Sequence, residues 1–574
     1  MSAATQAINS TLSLAERRAA INASIAWHYS QIADLKAQVN DLNPVNKLHD
    51  DVLRRIFHEV AFMDGEPARL SWAQAMYVCR RWHRLLLVDQ VLWGHIRLDV
   101  SSYRPRRDRL KNQLRLSGGA PLFLHVQSFS EERLAWVSEL LSEHAGRLRE
   151  LVLRVPLSNS LEVLGALRAD ALLLMRRLHV DALKSIADEA TTKVVIPTAF
   201  FDGRVPALTD LNLRKIDVDW SSLRGLTHLH LSDLTDQPFS TLLSVLVACP
   251  AMVTLHLDVR FIDGAGDQPL VHLPYLESMW LREHVSTCAR VLRNITIPAT
   301  TRLQFLSGGI SGGTDASDLL TEIRRHTRSS SASPLQTLKI QSMGDPREYL
   351  MMTLYTQTEL PELFGNEHSQ ISINSHPSSE SAARQIVKHF LKAVPTGNIL
   401  SLDGRMGPSI QPKTWVTIIK ELPNLQSISV FADATTTHLC AAIRLLSASG
   451  GTGRVPSTLR RIQISIQCNS ERERQNAEIR AAVESLKAML AELYARGCPL
   501  RELQLDQLRG VFFPLSRAEW EELCGMVGTL IRDGQPWDAL AEKRKLARLV
   551  AEREKFMAEL DREIAAGDFE DDSP

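Results

Sequence analysis

The apolar positions of this chain fall into three successive patterns. Over roughly 12–42, Leu14, Ile21, Ile25, Ile32, Leu35, Val39 and Leu42 recur at three- and four-residue steps, which predicts one helix with a heptad-like seam. Arg18 and His28 occupy two positions of that seam, which argues against a long, stable coiled coil. The favoured reading is a helix packing back on its neighbour, with self-association as the other. Asn43-Pro44 ends it, because the residue before a proline is steered out of helical backbone. The second pattern spans 48–93. Val52, Ile56 and Val60, with Leu53 and Phe57 beside them, form an apolar stripe at helical spacing. Asp50 and Asp51 stand where that helix begins and complement its dipole. Met63-Asp64-Gly65-Glu66-Pro67 reads as a turn. A second helix should follow, with Trp72, Ala75, Val78, Cys79, Trp82, Leu85 and Leu86 on one face. So small a helical unit buries little core by itself.

The third pattern is a recurring phrase, Leu-x-x-Leu-x-Leu with conservative swaps. It appears as Leu148/Leu151/Leu153, Met175/Leu178/Val180, Leu208/Leu211/Leu213 and Leu226/Leu229/Leu231. It continues at Met252/Leu255/Leu257, Leu276/Met279/Leu281 and Leu335/Leu338/Ile340, then at Leu425/Ile428/Val430, Leu459/Ile462/Ile464 and Leu500/Leu503/Leu505. Several copies follow Cys-Pro or Leu-Pro, as at Cys249-Pro250 and Leu422-Pro423. Copies mostly start 18–41 residues apart, and two larger gaps leave room for weak copies near Leu303, Ile371 and Leu400. Segments 240–248 and 382–394 look helical. Each unit then reads as strand, loop and helix, with successive strands stacking in parallel.

These two patterns resemble known families. Leu48-His49-Asp50-Asp51-Val52-Leu53-Arg54-Arg55-Ile56-Phe57, then Val78-Cys79-Arg80-Arg81-Trp82 and Leu92-Trp93, resemble the F-box in order and spacing, with His49 where most members carry proline. The phrase resembles the leucine-rich repeats that follow the F-box in one large class, including many fungal members. The asparagine of regular repeats is missing, and Pro156, Ile216 and Leu234 stand in its place. The resemblance implies an α/β chain: an N-terminal helical F-box followed by an irregular leucine-rich-repeat solenoid, with strands on the concave side and helices on the convex side. The expected divisions are a helical, coiled-coil-like segment at 1–43, the F-box at 44–100, the solenoid at 101–535, and a charged C-terminal helix with an acidic tail at 536–574.

By the same resemblance the chain is a substrate-recognition subunit of an SCF-type ubiquitin ligase. Leu48, His49, Val52, Leu53, Ile56, Phe57, Val78, Cys79, Trp82, Leu92 and Trp93 would bind a Skp-family adaptor and, through it, a cullin. The repeats would hold a target protein for ubiquitylation. Inward leucines leave the residues between them facing out, so a central row runs Val152, His179, Asn212, His230, His256, Trp280, Lys339, Ser429, Gln463, Gln504. His179, Asn212, His230, His256, Trp280 and Arg282 are the candidate target contacts, Trp280 and Arg282 having the composition of an interface hot spot. A leucine-rich scaffold uncoupled from ubiquitylation is the alternative.

Composition narrows the remaining classes. The 574 residues contain 66 Lys plus Arg against 66 Asp plus Glu, so no basic excess points to nucleic acid or an anionic membrane. No apolar run is long enough to span a bilayer, and the N-terminal residues lack a secretory pattern. The 7 cysteines are dispersed without a Cys-x-x-Cys pair, which suits thiols in cytosol or nucleus and suggests no metal or redox site. Gly309-Ile310-Ser311-Gly312-Gly313 matches a hydrolase nucleophile elbow. However, the small residues after Leu306 give slack where an elbow needs strain, so it reads as an inter-repeat loop. Ser307–Thr314, Ser447–Gly453 and Arg328–Ser333 are candidate flexible insertions. His228, His230 and His256 read as solvated positions in preference to a metal site or pH sensor. Neither catalysis nor a cofactor is expected.

Overall fold

The computed structural model describes residues 13–538 except 64–66, 101–106, 129–134, 166, 168–171, 184–193, 197–204, 206, 263–268, 307–315, 329–331, 343–348, 359–368, 378, 407–409, 449–457, 467–471, 507–512 and 514. Beyond 538 it describes only 554–555 and 557–558. The glycine-rich stretch around Ser311 and most of the expected C-terminal helix therefore lie outside the described residues. The chain divides into two units, Met1–Leu234 and Thr235–Pro574.

The first unit opens with α1, Leu14–Leu42. Ser13 starts it with a reciprocal cap: the Glu16 amide donates to its hydroxyl at 3.3 Å and its own amide donates to the Glu16 carboxylate at 2.7 Å. Its apolar seam does not pack back, although Asp34 reaches Arg80 at 3.4 Å from another side of the helix. Leu14, Ile21, Ile25, Ile32, Leu35, Val39 and Leu42 are all exposed, which overturns the favoured expectation. The helix ends at Asn43, which is extended (φ −70°, ψ 127°), and Pro44–Lys47 makes a 3-10 turn.

Next comes α2, Asp50–Phe62, with His49 as its N-cap; the Asp51 amide donates to the His49 ring at 3.4 Å. The expected second helix is broken in two. A 3-10 helix covers Ser71–Tyr77, and α3 runs Arg80–Leu87. Cys79 separates them because it is extended (φ −156°) and caps α3, its sulfur accepting from the Trp82 amide at 3.5 Å. The short α4, Gln90–Trp93, completes the module. Its core is Leu53, Phe57, Ala61, Trp72, Leu85, Leu86, Leu92 and Trp93. The two buried indoles meet edge to face at 5.0 Å and donate to backbone carbonyls, Trp72 to Pro67 at 3.0 Å and Trp93 to Leu86 at 2.9 Å.

The sheet of this unit begins at His95, inside the interval expected for the helical module and ahead of the first leucine phrase. Strands β1 His95–Asp99, β2 Leu122–Gln127, β3 Leu148–Pro156, β4 Arg177–Leu183, β5 Asp210–Arg214 and β6 His228–Pro238 pair parallel in chain order. The inward Leu151, Leu178, Leu211 and Leu229 sit side by side in register at 0% exposure. Helices α5 Arg107–Ser117, α6 Ala135–His144 and α7 Leu157–Gly165 separate the early strands. From β4 to β6 no α-helix occurs among the described residues, a departure from the strand–loop–helix expectation. The connection between β5 and β6 holds instead the strand Ile216–Val218, paired with Val194–Ile196, and a 3-10 turn at Trp220–Ser222.

The second unit contains α8 Phe239–Ala248, β7 Thr254–Ile262, β8 Ser278–Leu281, α9 Val285–Asn294, β9 Arg302–Leu306 and α10 Ser317–Thr327. It continues with β10 Thr337–Ser342, β11 Leu350–Tyr355, β12 Ile371–Ser375, α11 Glu380–Ala393, β13 Ser401–Met406, α12 Pro412–Glu421 and β14 Ser427–Phe431. It closes with α13 Ala434–Ala448, β15 Arg461–Ser465, α14 Arg472–Ala495, β16 Glu502–Asp506, α15 Arg517–Met526, β17 Thr529–Arg532 and β18 Gln535–Pro536. Strands stand where the weak copies near Leu303, Ile371 and Leu400 were expected.

Their order, however, is not the chain order. β7, β8 and β9 pair parallel, but β9 then pairs with β12, and β11 and β10 follow before β13. β11 runs antiparallel to both neighbours, so the uniformly parallel stack of successive units is corrected here. Its sequence, Leu-Met-Met-Thr-Leu-Tyr, is apolar on both faces and all of it is buried, which suits an interior strand. From β13 to β17 the strands resume parallel pairing in chain order.

Gly404 in β13 shows how closely the helices approach this sheet. A Cβ there would stand 2.3 Å from the ring of Trp415, itself at 0% exposure in α12. Gly404→Ala is expected to cost about 1–3 kcal/mol through overpacking. A urea unfolding midpoint equal to wild type would contradict this.

Candidate functional site

The helical module has an apolar outer face. Leu53, Phe57 and Ala61 on α2 point inward at 3% exposure or less, whereas Val52, Ile56 and Val60, one position earlier in each turn, are 45%, 38% and 45% exposed. Val78, Val88 and Val91 are exposed as well. Val52, Ile56 and Val60 recur at four-residue steps on one helix and so form one exposed apolar strip. Of the residues assigned to adaptor contact, Leu53, Phe57, Leu92 and Trp93 are buried in the module's own core, at 7% exposure or less. Leu48, Cys79 and Trp82 are half-buried, while His49, Val52, Ile56 and Val78 are exposed. A module this small consumes most of its large apolar residues in its own core, leaving the flank of the stripe outside.

Sequence reasoning missed how this face is braced. Arg81 donates to the Leu48 carbonyl at 2.6 Å, to the Asp50 carboxylate at 2.9 Å and to the Asn46 carbonyl. The Trp82 indole donates to the Asn46 side chain at 2.9 Å. The hydrogen bond from Arg81 holds the Asp50 carboxyl below its usual range. Together these bonds fasten the entry to α2 against α3. His58 and Asp89, 3.0 Å apart, link α2 to the loop before α4.

The open face of the first unit's sheet is a charge lattice. In register, Phe123, Glu150, Arg177, Asp210 and His228 form one row, and Gln127, Arg154, Asp181 and Arg214 another. Arg177 contacts Glu150 at 3.2 Å and Asp210 at 2.7 Å; His179 contacts Asp210 at 3.0 Å; Arg154 contacts Asp181 at 3.2 Å. Burial pushes the Glu150 and Asp210 carboxyls up. For Glu150 the His125 hydrogen bond and the charge of Arg177 outweigh it, and for Asp210 His179 and Arg177 do so, leaving both below their usual values. The acids are recessed, with Glu150 and Asp210 side chains at 16% and 18% exposure, while Arg177 reaches outward at 47%.

At the β1 end of this face lies a cavity of ≈ 280 Å³ lined by Phe62, Pro67, Ala68, His95, Arg97, Phe123, His125, Glu150 and Arg177. His95 stacks on Phe123 at 4.2 Å and meets the edge of Phe62 at 5.1 Å. Burial pushes its imidazole down to about 4. The folded state therefore resists a proton that the unfolded chain binds near pH 6.5, so this contribution to stability is complete above that value and is lost as pH falls toward 4. The loss is on the order of 2–3 kcal/mol. Below pH 4 the lowered carboxyls of Glu150 and Asp210 remove more stability in the same direction. Unfolding midpoints between pH 7.5 and 4.5 should fall for wild type and flatten for His95→Phe; an unchanged slope in the variant rules His95 out as the cause.

Of the proposed target contacts, His179, Asn212 and His230 lie side by side in the first unit, with Val152 before them. Burial pushes the His230 imidazole down to about 4. In the second unit His256 and Trp280 are register partners and stack at 3.7 Å, and Arg282 contacts Asp258 at 3.3 Å. Lys339, placed in the outward row, is only 7% exposed, and burial pushes its amine down. Thr337, on the same face, donates to the Gln357 carbonyl at 2.6 Å, just beyond the end of β11.

No group of three or more His, Cys, Asp or Glu among the described residues is arranged to hold a metal ion, and no helix among them is long and apolar enough to cross a membrane. No protein-family model and no curated protein matches the chain. Among solved structures, it is similar to the leucine-rich repeat-containing protein LegL7 from Legionella pneumophila at 13% identity and a TM-score of 0.23, over 67% of this chain and 91% of that one.

Proposed function

We propose that the chain is a non-catalytic receptor subunit of an SCF-type ubiquitin ligase. Its module at 44–100 docks a Skp-family adaptor, and its repeats hold a target protein. The observation that carries this reading is the exposed flank of α2, Val52, Ile56 and Val60, on a module whose ordered anchors resemble an F-box. Val78 adds apolar surface outside the buried core, and the Arg81 clamp fixes the loop that leads into α2. The open face of the first unit supplies a second surface. Its outward arginines above recessed acids fit a target segment bearing carboxylate or phosphate groups. The chain raises the local concentration of the target and orients its lysines.

Co-expression with the host's Skp-family adaptor and cullin tests the proposal. Co-purification of all three supports it. Binding of adaptor without cullin favours the scaffold reading, and binding of neither removes both F-box roles.

A further inference from the structure

We propose that α1 pairs with α1 of a second copy of this chain as a parallel, two-stranded coiled coil. The exposed seam follows an unbroken 4-3 spacing: Leu14, Arg18, Ile21, Ile25, His28, Ile32, Leu35, Val39 and Leu42. Its a positions are then Arg18, Ile25, Ile32 and Val39, and its d positions Leu14, Ile21, His28, Leu35 and Leu42. β-Branched residues at a with leucine at d favour two parallel strands over higher oligomers, so the order of residue types, beyond their apolarity, selects the occupant. The flanking positions agree. In parallel register, Arg17 faces Asn22, Ser24 faces Tyr29, and Gln31 faces Lys36 of the second copy, so these flanking positions bring no like charges together, and the one like-charged pair is Arg18 opposite its own copy near the helix start.

The helix supplies a second argument. At 29 residues it is about 43 Å long, yet Ile25 and Ile32 remain 47% and 48% exposed, and an Asp34–Arg80 ion pair at 3.4 Å touches its side without covering the seam. Helical stability in water comes mainly from packing of the apolar face, and here that face has no cover among the described residues. Arg18 and His28 weaken the pairing while fixing its register, as polar residues in such seams do. The parallel arrangement brings the two Asn43-Pro44 turns to the same end, so two helical modules emerge side by side.

Sedimentation equilibrium on the full chain should give twice the 64.2 kDa chain mass at micromolar concentration. Ile25→Asp with Ile32→Asp should weaken dimerisation at least a hundredfold while the monomer keeps its sheet and helical module, read by near-ultraviolet circular dichroism, because both side chains are exposed in the chain itself. His28→Leu should tighten it at least tenfold. Leu35→Cys, in a background with the exposed Cys498 and Cys524 changed to serine, should form a disulfide between copies on mild oxidation. A 64.2 kDa species at every concentration, or a dimer that the double aspartate variant leaves intact, overturns the proposal. A dimer that Leu35→Cys fails to cross-link overturns the parallel arrangement.

Discussion

Val52→Asp with Ile56→Asp is expected to weaken adaptor binding about a thousandfold, or about 4 kcal/mol, while leaving the fold intact. Each exposed apolar anchor at the centre of an interface contributes about 2 kcal/mol or more, and a carboxylate buried opposite an apolar partner adds a desolvation cost. Both side chains are more than a third exposed in the chain itself, so the substitution removes no core contact. Isothermal titration against purified adaptor reads the loss, and far-ultraviolet circular dichroism reads the fold. Full affinity in the variant places the docking surface elsewhere on the module.

Phe57→Ala is expected to cost about 3–5 kcal/mol, the range for emptying a buried aromatic site. Phe57 is 3% exposed, belongs to the same core as Leu53 and Trp72, and meets the Trp82 ring edge to face at 5.1 Å. So small a core has few other contacts to absorb the loss, so this module should open before the sheet does. Hydrogen exchange should show α2 and α3 losing protection while β3 and β4 keep theirs. Uniform loss across the unit would mean that module and sheet unfold together.

The contrast between these variants marks what was legible in the sequence. Val52 and Phe57 belong to one apolar stripe, and spacing alone does not say which flank turns inward. Leucine phrases gave the parallel strands directly, because alternation about a buried row is a strong, repeated signal. His95–Asp99 and Leu122–Gln127 escaped notice because their inward Ile96, Leu98, Leu122 and Leu124 do not make the full phrase. The break at Cys79 was hidden inside a helical period, and its cause is a thiol cap, which composition does not announce. The Arg81 clamp is a long-range arrangement with no sequence signature. The spacing of the α1 seam is legible in the sequence, whereas its exposure is not, because the spacing does not say whether a neighbour covers it.

The exchanged strand order has a consequence during synthesis. β9 waits for β12, and Gln304 meets Ser369, 65 residues further along. At 5–20 residues per second, the ribosome needs roughly 3–13 s to make that stretch. For that time the outer edge of β9 has made none of its final backbone bonds, and β10 and β11 can already pair with each other as a hairpin. An open strand edge beside a ready hairpin invites pairing in the wrong order or with a neighbouring nascent chain. The nascent chain is therefore open to mispairing while residues 306–371 are made, and slower translation there lengthens the exposure that a chaperone would have to cover.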